Sequence, residues 1–214
     1  MNIACVLQVS PDFRPETVGW LRAQCVIHIP HDEFICYANV NGFTKRLQTN
    51  WPKWWAKMEL YRDLKGPVLI LDLDTVILQK FSPTDEQLSH SWVARHFTRD
   101  GFRAPEEFSC GVMLTTEEFR KKVWDHFSSN PDKFMTECNG DDQVYFRRYW
   151  NKELKRFQDE WPDAFVSYKL NVLQHGLTED ATFLVFHGKP RPWDIDSPWV
   201  PKCSHPDQSL VQVV

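Results

Sequence analysis

The residues that most restrict this chain are Val68-Leu69-Ile70-Leu71, an apolar run that stops at Asp72-Leu73-Asp74 and resumes as Thr75-Val76-Ile77-Leu78. Preceded by the turn pair Gly66-Pro67, such a run predicts a strand buried on both faces of a parallel or mixed sheet. Side chains alternate along a strand, so Asp72 and Asp74 are expected on one side and Leu73 on the other. Two carboxylates this close repel each other unless a cation, a shared proton or solvent relieves them. At the carboxyl end of a strand in an open α/β sheet, the pair faces the crevice where ligands bind. A divalent metal is the natural relief for two hard oxygen donors.

The rest of the chain alternates in the same manner. A first strand is expected over 2–9, then a turn at Ser10-Pro11-Asp12 and a helix from Pro15 with Val18, Leu21 and Val26 at helical spacing. Phe34 to Val40 reads as a second strand. Lys53 to Leu64 has helix-forming composition and stops at Gly66-Pro67. Strands are expected over Trp92 to Phe97 and Phe108 to Leu114, followed by a helix capped by Thr115 or Thr116 and running to about Ser128. Asn139-Gly140-Asp141-Asp142-Gln143 opens a helix reaching about Asn151, and Phe183 to Phe186 is the last buried strand. The sum predicts an α/β fold: a mixed, mostly parallel, Rossmann-like sheet flanked by helices. The 214 residues suit one domain, 1–194, with a proline-rich surface tail over 195–214.

Composition narrows the function classes. The start, Met1-Asn2-Ile3-Ala4-Cys5-Val6-Leu7, lacks the basic head and cleavage site of a signal peptide, and no segment is long and apolar enough to span a bilayer. A soluble, cytoplasmic protein is expected. The six cysteines form no C-x-x-C pair, so buried thiols are expected rather than zinc or disulfide clusters. A net charge of −4 gives no general attraction to nucleic acid or anionic membranes. Arg147, Arg148, Lys152, Lys155 and Arg156 are a candidate basic groove or, more simply, a solvated helix face. The ten tryptophans offer either sugar-stacking faces or core packing, and composition does not separate these.

Asp72, Asp74 and His187 form a candidate metal set, with two carboxylates from one strand end and an imidazole following another strand. Magnesium prefers oxygen ligands, and the imidazole tilts the choice toward manganese. An incomplete protein shell leaves positions for diphosphate oxygens, and Lys189 is placed to neutralise charge developing on a departing diphosphate. The triplet alone is weak evidence: Asp194-Ile195-Asp196 repeats it without a preceding strand.

The joint pattern resembles the GT-A glycosyltransferases, particularly glycosyltransferase family 8. Lys57-Met58-Glu59-Leu60, the D-x-D strand Val68 to Val76, and Ser109-Cys110-Gly111-Val112-Met113-Leu114 occur in the family's order. Asp142-Gln143 and His187-Gly188-Lys189-Pro190 with Trp193 are similar to its acidic-Gln loop and its closing His-x-x-Gly-x-x-Lys-Pro-Trp motif. Small glycosyltransferase-like proteins of phages and bacteria carry comparable Trp-Trp-x-Lys-Met-Glu-Leu and His-Gly-Lys-Pro-Arg-Pro-Trp segments. The resemblance implies a Mn2+ or Mg2+ ion on Asp72, Asp74 and His187. It also implies a nucleotide-sugar donor, UDP-linked, held by Gln8, Ser10, Lys57, Asp72, Gly111, Gly188, Lys189 and Trp193. Asp141, Asp142 and Gln143 then line the donor sugar and the acceptor hydroxyl, and configuration at the anomeric carbon is retained. The closing motif is shortened here to His187-Gly188-Lys189, and Ser109-Cys110 replaces the usual Asn-Ala.

The acceptor is left open between a glycan, a small molecule and a modified DNA base. A nucleotidyltransferase is disfavoured, because Gln8-Val9-Ser10-Pro11-Asp12 is not a Gly-rich phosphate loop. A catalytically silent nucleotide- or sugar-binding module is the non-enzymatic alternative.

Overall fold

Aliphatic strands that are apolar at every position need cover on both faces, and the fold supplies it. The computed structural model describes residues 1–97 and 107–203. Its strands are β1 Asn2–Leu7, β2 Phe34–Ala38, β3 Lys45–Arg46, β4 Val68–Leu71, β5 Thr75–Ile77, β6 Trp92–Arg95, β7 Phe108–Thr115, β8 Lys155–Arg156, β9 Phe165–Ser167 and β10 Phe183–Val185. Seven form a sheet in the order β3-β2-β1-β4-β7-β6-β8. β1 runs parallel to β2 and β4, whereas β7 is antiparallel to its neighbours β4 and β6. β5, β10 and β9 form a second, three-stranded sheet. The expected mixed, mostly parallel α/β architecture is therefore found.

Strand alternation divides the core. Ile3, Cys5, Leu7, Leu69 and Leu71 pack on one face with helix Pro15–His28 and the small sheet. Ala4, Val68, Ile70, Cys110 and Met113 pack on the other, under residues of segment Lys53–Glu59 and helices Glu117–Ser128 and Asp142–Trp150. Five of the six cysteines are buried and all are free thiols.

Three expectations need correction. The strand after Gly66-Pro67 ends at Leu71. Asp72 through Thr75 form a turn closed by Thr75 N–H donating to the Asp72 carbonyl at 3.1 Å, and β5 then joins the other sheet. Aspartate is a poor strand residue and a good turn residue, so alternation does not carry across the triplet. Second, the expected 53–64 helix is a 3-10 helix over Lys53–Glu59, followed by a short α-helical turn, Leu60–Asp63. The buried Glu59 carboxylate anchors it by accepting from the backbone N–H of Gln48 and Thr49 and the Thr49 hydroxyl. Third, β9 and helix Pro131–Glu137 were not foreseen from periodicity, being too short to show one. Of the tail, 204–214 lie outside the described residues; Val200 is buried and the Pro201 carbonyl accepts from the Trp20 indole at 2.8 Å.

Arg120 locks β4 to β7 at the end away from the cleft. Buried, it donates to the carbonyls of Thr115 (2.7 Å), Leu64 (3.1 Å) and Gly66, and to the Thr115 hydroxyl (3.0 Å). Gly66 has φ +63°, which favours glycine and directs its carbonyl into this arrangement. Arg120→Met is expected to cost about 3 kcal/mol of stability, since charge-assisted hydrogen bonds contribute ~1.5–3 kcal/mol each and do not add fully. Urea unfolding measures it, and a cost under about 1 kcal/mol would remove Arg120 from this role.

Candidate active site

The connection from β1 goes to β2 on one side, and β4 lies on the other, so a crevice opens at their carboxyl ends. The amino-terminal half of antiparallel β7 borders the same edge: Leu71 pairs with Val112, and Asp72 N–H donates to the Gly111 carbonyl at 2.8 Å. A Cβ on Gly111 would stand 3.4 Å from Asp72 Oδ2 and 3.3 Å from Val185 Cγ1. Glycine thus keeps this contact open, since a side chain there would press on Val185 and meet the Asp72 carboxylate.

Lys57 is the hub on this side. Its ammonium is 3.1 Å from Asp72 Oδ1, 3.0 Å from Asp142 Oδ2 and 3.5 Å from the Cys110 carbonyl. Burial works against its charge, yet Asp142 and Asp72 together hold its pKa well above the ordinary lysine value. Burial likewise pushes the Asp142 carboxyl up, opposed by Lys57. Asp141 caps helix Asp142–Trp150 by accepting from Gln143 N–H at 2.9 Å, and Gln143 Oε1 accepts from Cys110 N–H at 3.3 Å. Lys57, Asp72, Gly111, Asp142 and Gln143, all picked out in the sequence, are therefore brought together.

A second charged group surrounds Asp74. This buried carboxylate pairs with Arg191 Nη1, and Arg191 Nη2 reaches Asp12 Oδ2 at 3.4 Å. Asp12 also binds Lys189 at 3.1 Å, and the Arg191 guanidinium lies over the Phe13 ring. Burial first, and then the Asp72 charge, raise the Asp74 carboxyl to about 7 against the pull of Arg191. The hydrogen bond from Lys189, aided by Arg191, lowers Asp12. Sequence reading passed over Arg191 and Asp12. Arg191-Pro192-Trp193 reproduces the basic-Pro-Trp ending of the family motif two residues beyond Lys189, and that was the available signal.

The remaining candidates are more scattered. Gln8 donates to the Trp51 carbonyl at 2.8 Å, and the Ser10 hydroxyl accepts from Phe13 N–H at 3.1 Å. Gly188 adopts φ +69° beside Lys169. Trp193 packs edge-on against Phe13 and Trp20. The His187 ring lies 5.3 Å from Phe97, and its buried Nε2 has no hydrogen-bond partner among the described residues. Burial, followed by His96 and Lys169, lowers its pKa to about 4, which leaves a neutral imidazole at neutral pH. An orphaned imidazole nitrogen and two carboxylates have the donor chemistry of a divalent-cation site. Among the described residues, however, no three His, Cys, Asp or Glu side chains are gathered at metal-holding spacing.

Of the candidate basic residues, Arg147, Arg148, Lys152 and Lys155 are exposed. Arg147 pairs with Glu107, Arg148 with Glu137, Lys155 lies over Trp92, and Arg156 is buried.

No protein-family model matches the chain, and no curated protein matches it by sequence. Solved structures do match in fold. The chain is similar to the glycosyltransferase GlyE of Streptococcus pneumoniae TIGR4, with TM-score 0.59, 12% identity and 92% of this chain covered. It spans 56% of the GlyE chain, little more than half its length. It is similar also to the galactosyltransferase LgtC, solved with donor and acceptor sugar analogues, with TM-score 0.58, 11% identity and 90% and 89% of the two chains covered. The chain has the GT-A glycosyltransferase fold. No helix among the described residues is long and apolar enough to cross a membrane.

Proposed function

We propose that this chain is a metal-dependent glycosyltransferase that moves a sugar from a UDP-linked donor to an acceptor hydroxyl with retention of configuration. One observation carries the reading. At the switch point of a GT-A fold, both aspartates of the D-x-D turn are charge-compensated from separate elements, Asp72 by Lys57 and Asp74 by Arg191. Such a centre suits a ligand with its own negative charge and counter-cation.

Asp72, Asp74 and His187 have the donor chemistry for Mn2+ or Mg2+ but are not gathered at metal-holding spacing, so holding the ion requires them to close on it; bound there, it would supply positive charge to the leaving diphosphate. Arg191 and Lys189 add positive charge on the Asp12 side, where charge develops as the glycosidic bond breaks. Lys57 orients Asp72 and Asp142, and Gly111 leaves room for the donor sugar beside the backbone. Gln8 and Ser10 border the nucleotide end, and Gly188 and Trp193 shape the closing segment. Retention is favoured because neither candidate base is free. Asp142 is 3% exposed and bound to Lys57, while Asp141 is engaged as the helix cap. The leaving diphosphate can then take the acceptor proton. The internal pairing of the basic residues favours a sugar or small-molecule acceptor over DNA.

A screen of nucleotide sugars for Mn2+-dependent hydrolysis is the test. UDP release is expected from a UDP-sugar, falling at least about 100-fold in Asp74→Asn. Release that is unaltered in the variant, or independent of added metal, would remove the metal assignment. UDP binding without release from any donor or acceptor would favour the silent binding module.

A further inference from the structure

Nine of the ten tryptophans contact another aromatic ring, and none of the nine is exposed. Trp54 is the exception: it is 51% exposed, and among the described residues its one ring or cation contact is with the Lys53 ammonium at 5.7 Å. Its position follows from the 3-10 geometry of Lys53–Glu59, in which side chains three apart lie over one another. Trp55 and Met58 share one buried face, and Ala56 and Glu59 another. The third face carries Trp54 and Lys57. With a rise of about 2 Å per residue, Trp54 stands about 6 Å along the axis from the lysine whose ammonium bridges Asp72 and Asp142.

We propose that Trp54 is the platform on which a pyranose ring of the acceptor stacks. This rests on the glycosyltransferase reading above and gives its acceptor a chemical class. An indole offers a flat apolar surface to the C–H face of a sugar, while the ring hydroxyls stay in water. The row from Trp54 through Lys57 leads to Asp142 and Gln143. The cations suited to a diphosphate, Arg191 and Lys189, gather instead around Asp12 and Asp74. A sugar on Trp54 therefore stands beside the lysine that bridges Asp72 and Asp142.

The test is titration of 15N-labelled protein, following indole N–H resonances, with Trp54 assigned by its loss in Trp54→Phe. The probes are methyl β-D-galactopyranoside, methyl β-D-glucopyranoside, methyl α-D-mannopyranoside and, separately, UDP with Mg2+. At least one pyranoside is expected to move the Trp54 resonance. Its affinity should be kept in Trp54→Phe and weakened about tenfold in Trp54→Ala, with UDP affinity unchanged. Pyranoside binding that is equal in Trp54→Ala, no pyranoside response while UDP binds, or a Trp54 shift caused by UDP alone would each overturn the platform. A pyranoside response with no UDP binding would instead sink the glycosyltransferase reading and leave the sugar platform standing.

Discussion

In Lys57→Met, the melting temperature is expected to fall on the order of 10 °C at pH 7, with donor turnover lost. Lys57 is the shared cation of two carboxylates, one of them only 3% exposed. Removing one partner of a buried ion pair leaves an uncompensated charge and typically costs about 3–5 kcal/mol. For a chain of this size, each kcal/mol shifts the melting point by about 2–4 °C. Methionine fills much of the same volume, so the loss reflects charge rather than a cavity. Adding Asp142→Asn should recover part of the stability, because a buried pair removed on both sides is often nearly neutral.

The pH dependence gives this prediction a second readout. Without Lys57, burial acts unopposed on Asp142, and its folded-state pKa lies above its unfolded value of about 4. A group raised in this way favours the folded state below the unfolded pKa, and that contribution is lost as pH rises through the folded pKa. The deficit of Lys57→Met relative to the parent should therefore narrow from pH 7 to pH 5, as measured by thermal melts at each pH. A variant that melts within about 2 °C of the parent at pH 7 would show that Lys57 is not the hub described here.

The second large effect concerns which cation serves the leaving group. Arg191→Met is expected to lower kcat for UDP release about 100-fold, and Lys189→Met by about tenfold or less. Removing one preorganised donor to developing negative charge typically costs 10²–10³ in rate, and the effect shrinks when the donor is solvated. Arg191 is 15% exposed and reaches Asp74 and Asp12 with different nitrogens, whereas Lys189 is 71% exposed and meets Asp12 alone. Arg191→Lys should restore little, since a point charge cannot span both carboxylates. Steady-state kinetics on the donor found by the screen decides it. If Lys189→Met is the more damaging, or neither change exceeds about threefold, the assignment of Arg191 fails.

Much of this was legible in the residues. The aliphatic runs of β1, β4 and β7 require burial on both faces, and the caps at Thr116 and Asp141 follow from their side chains. Lys57, Asp72, Gly111, Asp142 and Gln143 were each picked out, and the fold brings them to one sheet edge. The triplet itself was misread, because alternation was extended through Asp72-Leu73-Asp74 although aspartates favour turns.

What the sequence determined by itself was the local chemistry: which segments must be buried on two faces, where they stop, and that two carboxylates close one of them. Such signals sit within a few residues of each other and depend on periodicity and turn preference. Which cation each carboxylate meets was decided only by tertiary structure. Lys57 lies 15 residues before Asp72, and Arg191 lies 117 residues after Asp74, brought there by β10 pairing with β5. The same holds for the tryptophans, since exposure is a property of the packed chain. Nine rings found aromatic partners, and the 3-10 helix left Trp54 facing water.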